Sequence, residues 1–182
     1  MSRKGMGMMA ISLVPLKKAS DAIVATFNRW NNDPAIVHLI RPVRSAEELA
    51  AEHHMTIEDL TDRLLTHDIF LIYADDMLVG EVNVIYDAPH LYDNERGSAW
   101  LGLVIGELNG RGRGIGTMAL LLLEERLRAQ GVPRIELGVF GFNEAAQRLY
   151  RKVGYTEIAR IESFTYWNGQ FWPDIRMEKR LD

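Results

Sequence analysis

Two spacings of apolar residues alternate along this chain, one of two that marks strands and one near 3.6 that marks helices. Ile11-Ser12-Leu13-Val14-Pro15 reads as a short first strand, and Ser20-Asp21 offers an N-cap for a helix running to about Trp30. Ala22, Ile23, Ala25, Phe27 and Trp30 form its apolar stripe, and Asn31-Asn32-Asp33-Pro34 ends it, because a residue before proline is pushed out of the helical region. A second helical region is predicted from Ser45 to about His67, with a break near His54 where Thr56-Ile57-Glu58-Asp59 supplies a fresh cap. Ile69 to Ala74 and Leu78 to Tyr86 read as strands joined by Asp75-Asp76-Met77.

In the second of these strands, alternation places Val79, Glu81, Asn83 and Ile85 on one face. Two polar side chains there mean that this face is not wholly dry. Asp87 to Gly97 is a polar loop predicted to arch over one end of the sheet, either as a substrate-selecting loop or as a merely solvated one. Trp100 to Ile105 is an apolar run that reads as a buried strand, and Met118 to Leu127 reads as a helix. Gly131 and Pro133 close that helix, Arg134 to Phe140 is the next strand, and Asn143 caps a helix running to about Lys152 and ending at Gly154. Thr156 to Thr165 and Pro173 to Leu181 form the last two strands, joined across Asn168-Gly169, the strongest hairpin signal in the chain.

Between the apolar strand and the helix lies Glu107-Leu108-Asn109-Gly110-Arg111-Gly112-Arg113-Gly114-Ile115-Gly116-Thr117. A glycine-rich turn lets a ligand come close to the backbone, and the unpaired N–H groups of the following helical turn carry partial positive charge, so the stretch suits a phosphate. The spacing is neither the dinucleotide fingerprint nor a nucleotide P-loop, since no Gly-Lys-Ser/Thr follows. A glycine-rich helix start without a ligand is the other reading.

Composition narrows the classes. A length of 182 residues suits one domain, and 47% hydrophobic with 25% charged residues is ordinary for a globular protein. A net charge of −4 argues against binding the phosphate backbone of nucleic acid and suits a cationic acceptor. Absence of cysteine removes disulfides, thiolate metal sites and a cysteine nucleophile. Apolar stretches fall far short of the roughly 18 residues that a membrane helix needs. No signal peptide is recognisable, so the protein reads as cytoplasmic, with residues 1–9 a flexible leader and 10–182 a single domain.

Arg111-x-x-Gly114-x-Gly116 followed by an apolar helix resembles the GNAT superfamily of N-acetyltransferases. A second stretch, from Asn143 through Tyr150 to Gly154-Tyr155, strengthens the likeness. Asn143 and Tyr150 are seven positions apart, two helical turns, so they share one helix face with about 10 Å of rise between them. The resemblance implies an α+β chain with the acyl-CoA N-acyltransferase fold, a central mixed, mostly antiparallel sheet of about six or seven strands flanked by helices. The pattern lies closest to the branch that acetylates ribosomal-protein alanine and small amines.

The likeness also implies roles. Backbone groups of Gly112, Gly114, Ile115, Gly116 and Thr117 would hold the diphosphate of acetyl-coenzyme A, with Arg111 and Arg113 as added charge and one of them merely solvated. Val104, Ile105 and Gly106 would lend backbone groups to the pantetheine arm and thioester, with Gly106 at a bulge. Asn143 would bond the same arm, and Tyr150 would lie by the sulfur. Acyl transfer to an amine develops an oxyanion and expels a thiolate that must regain a proton, and a tyrosine with an unperturbed pKa of about 10 can supply it. The plainer reading is that Tyr150 packs and Asn143 only caps.

Departures from the family pattern bear on the base. Where several members carry a strand glutamate this chain has Trp100, and the aspartate found five residues before the asparagine in aminoglycoside-modifying members is here Gly138. Glu81 is the preferred base, with Glu136, Asp87 and Glu95 as the others. The five histidines lack zinc spacing, so no metal is expected. Phe164, Tyr166, Trp167, Phe171 and Trp172 read as cross-strand packing, a binding cage or a homodimer contact. The chain therefore reads as an acetyl-CoA-dependent enzyme acting on a small amine, polyamine or protein N-terminus by direct attack in a ternary complex. A silent coenzyme A-binding module and an aminoglycoside-type enzyme are the alternatives.

Overall fold

The computed structural model describes residues 9–181, so the expected leader lies outside the described residues except for Met9, which packs against the core. Strand β1 (Ile11–Pro15) leads to helix α1 (Asp21–Asn31), whose cap is the predicted one, with Ser20 Oγ accepting from the Ile23 amide. A short helix α2 (Val37–Ile40) follows, and the helical region expected from Ser45 is two pieces, α3 (Ala46–Ala50) and α4 (Ile57–Arg63), separated at the expected break. The break has a local cause. Thr56 and Asp59 close a reciprocal capping box, so a new helix starts there rather than an old one continuing.

Strands β2 (Asp68–Ala74), β3 (Met77–Tyr86) and β4 (Ala99–Ile105) follow, then a short 3₁₀ turn at Leu108–Gly110 and helix α5 (Ile115–Ala129). Strand β5 (Arg134–Phe140), helix α6 (Glu144–Val153) and strands β6 (Thr156–Trp167) and β7 (Gln170–Arg180) complete the chain. The last hairpin turns at Asn168 and Gly169, both left-handed with φ of 50° and 84°, as a two-residue turn between twisted strands requires. Two of the late aromatics form a cross-strand pair, Tyr166 with Phe171, while Trp167 stacks on His38 of α2 with centroids 4.0 Å apart.

The seven strands among the described residues lie in one sheet, ordered β1-β2-β3-β4-β5-β7-β6. Every neighbouring pair is antiparallel except β4 with β5. Strand β2 shows why the sheet is covered on both sides. Phe70 and Ile72 point into a core with Val82, Val84, Leu101, Leu137 and the buried face of α5, namely Ile115, Ala119, Leu123 and Leu127. Ile69 and Leu71 point the other way, into a second core with Phe27, Trp30 and Leu60. Burying side chains of this size stabilises the fold by about 1.5–3 kcal/mol each, and α5, apolar nearly all round in its first half, has no other stable position. Among the described residues no helix is long and apolar enough to cross a membrane.

Strands β4 and β5 pair over only two positions, Ala99 with Ile135 and Trp100 with Glu136. Past Trp100, β4 stays registered with β3 as far as Ile105 opposite Gly80, while its other edge is left without a strand among the described residues. The centre of the sheet therefore opens into a V.

Candidate active site

This V runs into the start of α5, and together they form a cleft of about 1080 Å³. The glycine turn forms one end. Gly112 and Gly114 have φ of 68° and 78°, a conformation that a side chain resists, and an added Cβ at either would meet open space. Gly114 is the N-cap of α5 and brings no side-chain bond, and the first intrahelical bond is made by the Met118 amide to the Gly114 carbonyl. The amides of Ile115, Gly116 and Thr117 are thus left without helix partners at the positive end of a 15-residue helix. All three residues line the cleft, with Gly112, Gly114, Val104 and Ile105.

Asn143 and Tyr150 line the same cleft. Asn143 caps α6, its Oδ1 accepting from the Ala146 amide at 3.2 Å, so the side chain is fixed while its amide nitrogen keeps two protons unspent among the described residues. Tyr150 is buried beside Tyr155 with ring centroids 5.8 Å apart, and its hydroxyl has no hydrogen bond within the described residues. Burial pushes its pKa up to about 12, so the phenol keeps its proton at neutral pH.

Gly106 does not line the cleft; it lies beneath the Trp30 ring, which occupies the place where a side chain would begin, so close packing there requires glycine, and the bond from the Glu107 amide to the Val79 carbonyl falls one residue out of the β3–β4 register, as the expected bulge would leave it. The Trp30 indole also donates to Glu107 at 2.9 Å, tying α1 to the end of β4. Arg111 reaches the cleft but turns its guanidinium onto the carbonyls of Ile105 (3.1 Å) and Gly106 (3.2 Å), so it braces the strand end rather than projecting as a free phosphate ligand. Arg113 is exposed, outside the cleft lining, with its nearest bond to the Asn109 carbonyl.

Glu81 does face the cleft, with Asn83, as the strand alternation predicts. Both of its oxygens are held by Arg63, at 2.8 and 3.2 Å. The other carboxylates considered as bases are also engaged. Glu136 is fully buried, accepting from Arg134 (2.7 Å) and from the Tyr92 amide (2.7 Å), which pins the 87–97 loop to the sheet. Asp87 accepts from the Gly97 amide, and Glu95 pairs with Arg180 at the surface.

One cleft carboxylate escaped the sequence reading. Asp174, on β7 opposite Phe140, lines the cleft with Arg176, His90 and Trp100. Its signal was the alternation Asp174, Arg176, Glu178 on one face of a strand, a pattern of ionisable groups that solvent alone does not require. Among the described residues no cluster of three or more His, Asp or Glu could hold a metal.

Residues 33–155 match the acetyltransferase (GNAT) family. The fold resembles that of the spermidine N-acetyltransferase from Vibrio cholerae, solved in complex with CoA and spermine (TM-score 0.71, 17% identity, 94% of this chain and 95% of that one). It resembles equally the yncA protein of Salmonella typhimurium, solved with its cofactor acetyl-CoA (TM-score 0.69, 18% identity, 96% and 95% covered). The ribosomal-protein-alanine N-acetyltransferase from Brucella melitensis shares it too (TM-score 0.65, 21% identity, 87% and 92% covered). A family match over most of the chain, on a seven-stranded sheet that splays beside a glycine-lined helix start, makes this protein a member of the GNAT acetyltransferase family.

Proposed function

We propose that this protein transfers the acetyl group of acetyl-coenzyme A to a primary amine, by direct attack of the amine with both substrates bound together. The observation that carries the reading is the continuity of one cleft from the uncapped start of α5, along the open edge of β4, to the hydroxyl of Tyr150. The residues present fit the cosubstrate. Backbone amides of Gly112 to Thr117 would take the diphosphate, and the unpaired edge of β4 at Val104 and Ile105, with the Asn143 amide, would take the pantetheine arm. Bound acetyl-coenzyme A supplies an activated acyl group on a thiolate leaving group.

The chain's own contribution is to orient, to exclude water and to move protons. Tyr150, kept neutral by burial, holds a proton where the departing sulfur would need one. The cleft wall opposite carries Glu81, Asn83, Trp100 and Asp174, so it combines an aromatic surface with carboxylates, which suits a cationic amine. No covalent relay through the protein is needed, since two substrates aligned in one cleft react directly. The spermine bound in the Vibrio cholerae enzyme supports a polyamine or similar small amine as acceptor, and the Brucella melitensis enzyme supports a protein N-terminus.

The test is an amine-panel assay with spermidine, spermine, an amino-sugar and alanine-initiated peptides, following free coenzyme A and the mass of the acetylated product. Acetylation of one member supports the reading. Tight binding of acetyl-coenzyme A without turnover of any amine would mark a coenzyme A-binding module instead.

A further inference from the structure

Gly138 is the first residue of β5 beyond its last pair with β4 that lies on the same strand face as Glu136, which places it at the opening of the V. A side chain there would begin 2.7 Å from both carboxylate oxygens of Asp174 and 3.0 Å from the Trp100 ring. The space that a residue at 138 would occupy is already taken by a carboxylate delivered from β7. Asp174 is buried, and one oxygen, Oδ2, accepts from Arg176 Nε at 2.6 Å. The other, Oδ1, has no hydrogen-bond partner among the described residues, and the residue lines the cleft.

We infer that Asp174 is a catalytic residue of the proposed transfer, binding the acceptor ammonium and accepting its proton. This rests on the acetyltransferase reading above. The ammonium gives one proton to Asp174, which passes it to water. The freed lone pair forms the C–N bond as the C–S bond breaks with its electrons on sulfur. Sulfur takes the Tyr150 proton, and the second proton lost by the new amide nitrogen replaces it, so one proton is released overall. Glu81, gripped on both oxygens by Arg63, is then part of the acceptor wall rather than the base.

The surroundings make Asp174 a better base than an ordinary aspartate. Burial raises its pKa, the buried charge of Glu136 from β5 pushes the same way, and Arg176 on its own strand opposes them. His90, from the loop, lines the same cleft, and burial with the Arg176 charge pushes its imidazolium pKa down. Strand β4 contributes only Trp100 here, and β6 pairs Ile161 with Asp174.

The experiment compares wild type with Asp174→Asn on whichever panel amine wild type turns over fastest. In Asp174→Asn, kcat should fall about 10²-fold or more, as for loss of a positioned base. The acidic limb of the wild-type pH profile should disappear, acetyl-coenzyme A affinity should be unchanged, and the thermal midpoint should not drop. That last readout separates a catalytic role from a structural one, because the fold favours the protonated, neutral form of this side chain. Its stabilising contribution is whole below the unfolded aspartate value and lost as pH rises through the raised folded one. Wild-type kcat with an unchanged acidic limb in Asp174→Asn overturns the inference and leaves the acetyltransferase reading standing. If the variant does not fold, wild type decides: kcat at saturating amine that stays flat on acidification down to the ordinary aspartate range overturns the inference. No turnover of any amine by wild type overturns both.

Discussion

Gly114 and Gly131 bracket helix α5 with the same backbone conformation, φ of 78° in each, and a side chain at either would meet nothing within 4 Å. Replacing either with alanine forces an L-residue into the left-handed region at about 1–2 kcal/mol. For a chain of this size that lowers the thermal midpoint by about 2–8 °C. The two variants should therefore be equally destabilised. They should differ completely toward acetyl-coenzyme A, because only Gly114 lines the cleft. A methyl group at Gly114 keeps a phosphate from the amides of the first turn, and losing one hydrogen bond to a charged group costs about 1.5–3 kcal/mol. That amounts to about a ten- to hundred-fold weaker Kd. Calorimetric titration of acetyl-coenzyme A into both variants, with denaturation curves beside them, checks the pair. Equal loss of affinity in Gly131→Ala, or wild-type affinity in Gly114→Ala, would refute the claim that this backbone turn is the phosphate site.

Tyr150→Phe should lower kcat by about 10²-fold with acetyl-coenzyme A affinity retained, read by steady-state kinetics and titration. Because burial lifts this phenol to about 12, the folded state favours its neutral form, and the stability this gives is whole below about pH 10 and lost as pH rises through about 12. Urea midpoints at pH 9 and pH 11 should consequently fall further in wild type than in Tyr150→Phe. Gly106→Ala collides with the Trp30 ring and should cost about 1–3 kcal/mol, a shift visible in urea denaturation. Arg63→Ala strands the Glu81 carboxylate in the cleft wall and should destabilise by about 1–3 kcal/mol in the same assay, with the larger part of the loss restored by the double change with Glu81→Gln.

What could be read in advance follows from how locally each feature is encoded. The caps at Ser20, Thr56 and Asn143, the Asn168-Gly169 turn and the glycine turn before α5 depend on neighbours a few residues away, and all lie where their spacing predicted. The meeting of Asn143 and Tyr150 with Gly112, Gly114 and Gly116 in one cleft was legible through the family pattern, since spacing alone gives a shared helix face and not what faces it. Features made by distant parts of the chain were hidden. Trp30 covers Gly106 across the whole of the first half of the fold, and Asp174 fills the space at Gly138 because β7 inserts beside β5. Arg111 is a related case: its charge suggested phosphate, while its guanidinium donates to the carbonyls of Ile105 and Gly106.

A crystal structure with acetyl-coenzyme A tests the central claim most directly. The account predicts the diphosphate on the amides of Gly112 to Thr117, the pantetheine arm along Val104 and Ile105, the sulfur beside the Tyr150 hydroxyl, and the acyl carbon at the opening between Trp100 and Gly138. A diphosphate bound away from the start of α5, or a thioester outside the V between β4 and β5, would contradict it.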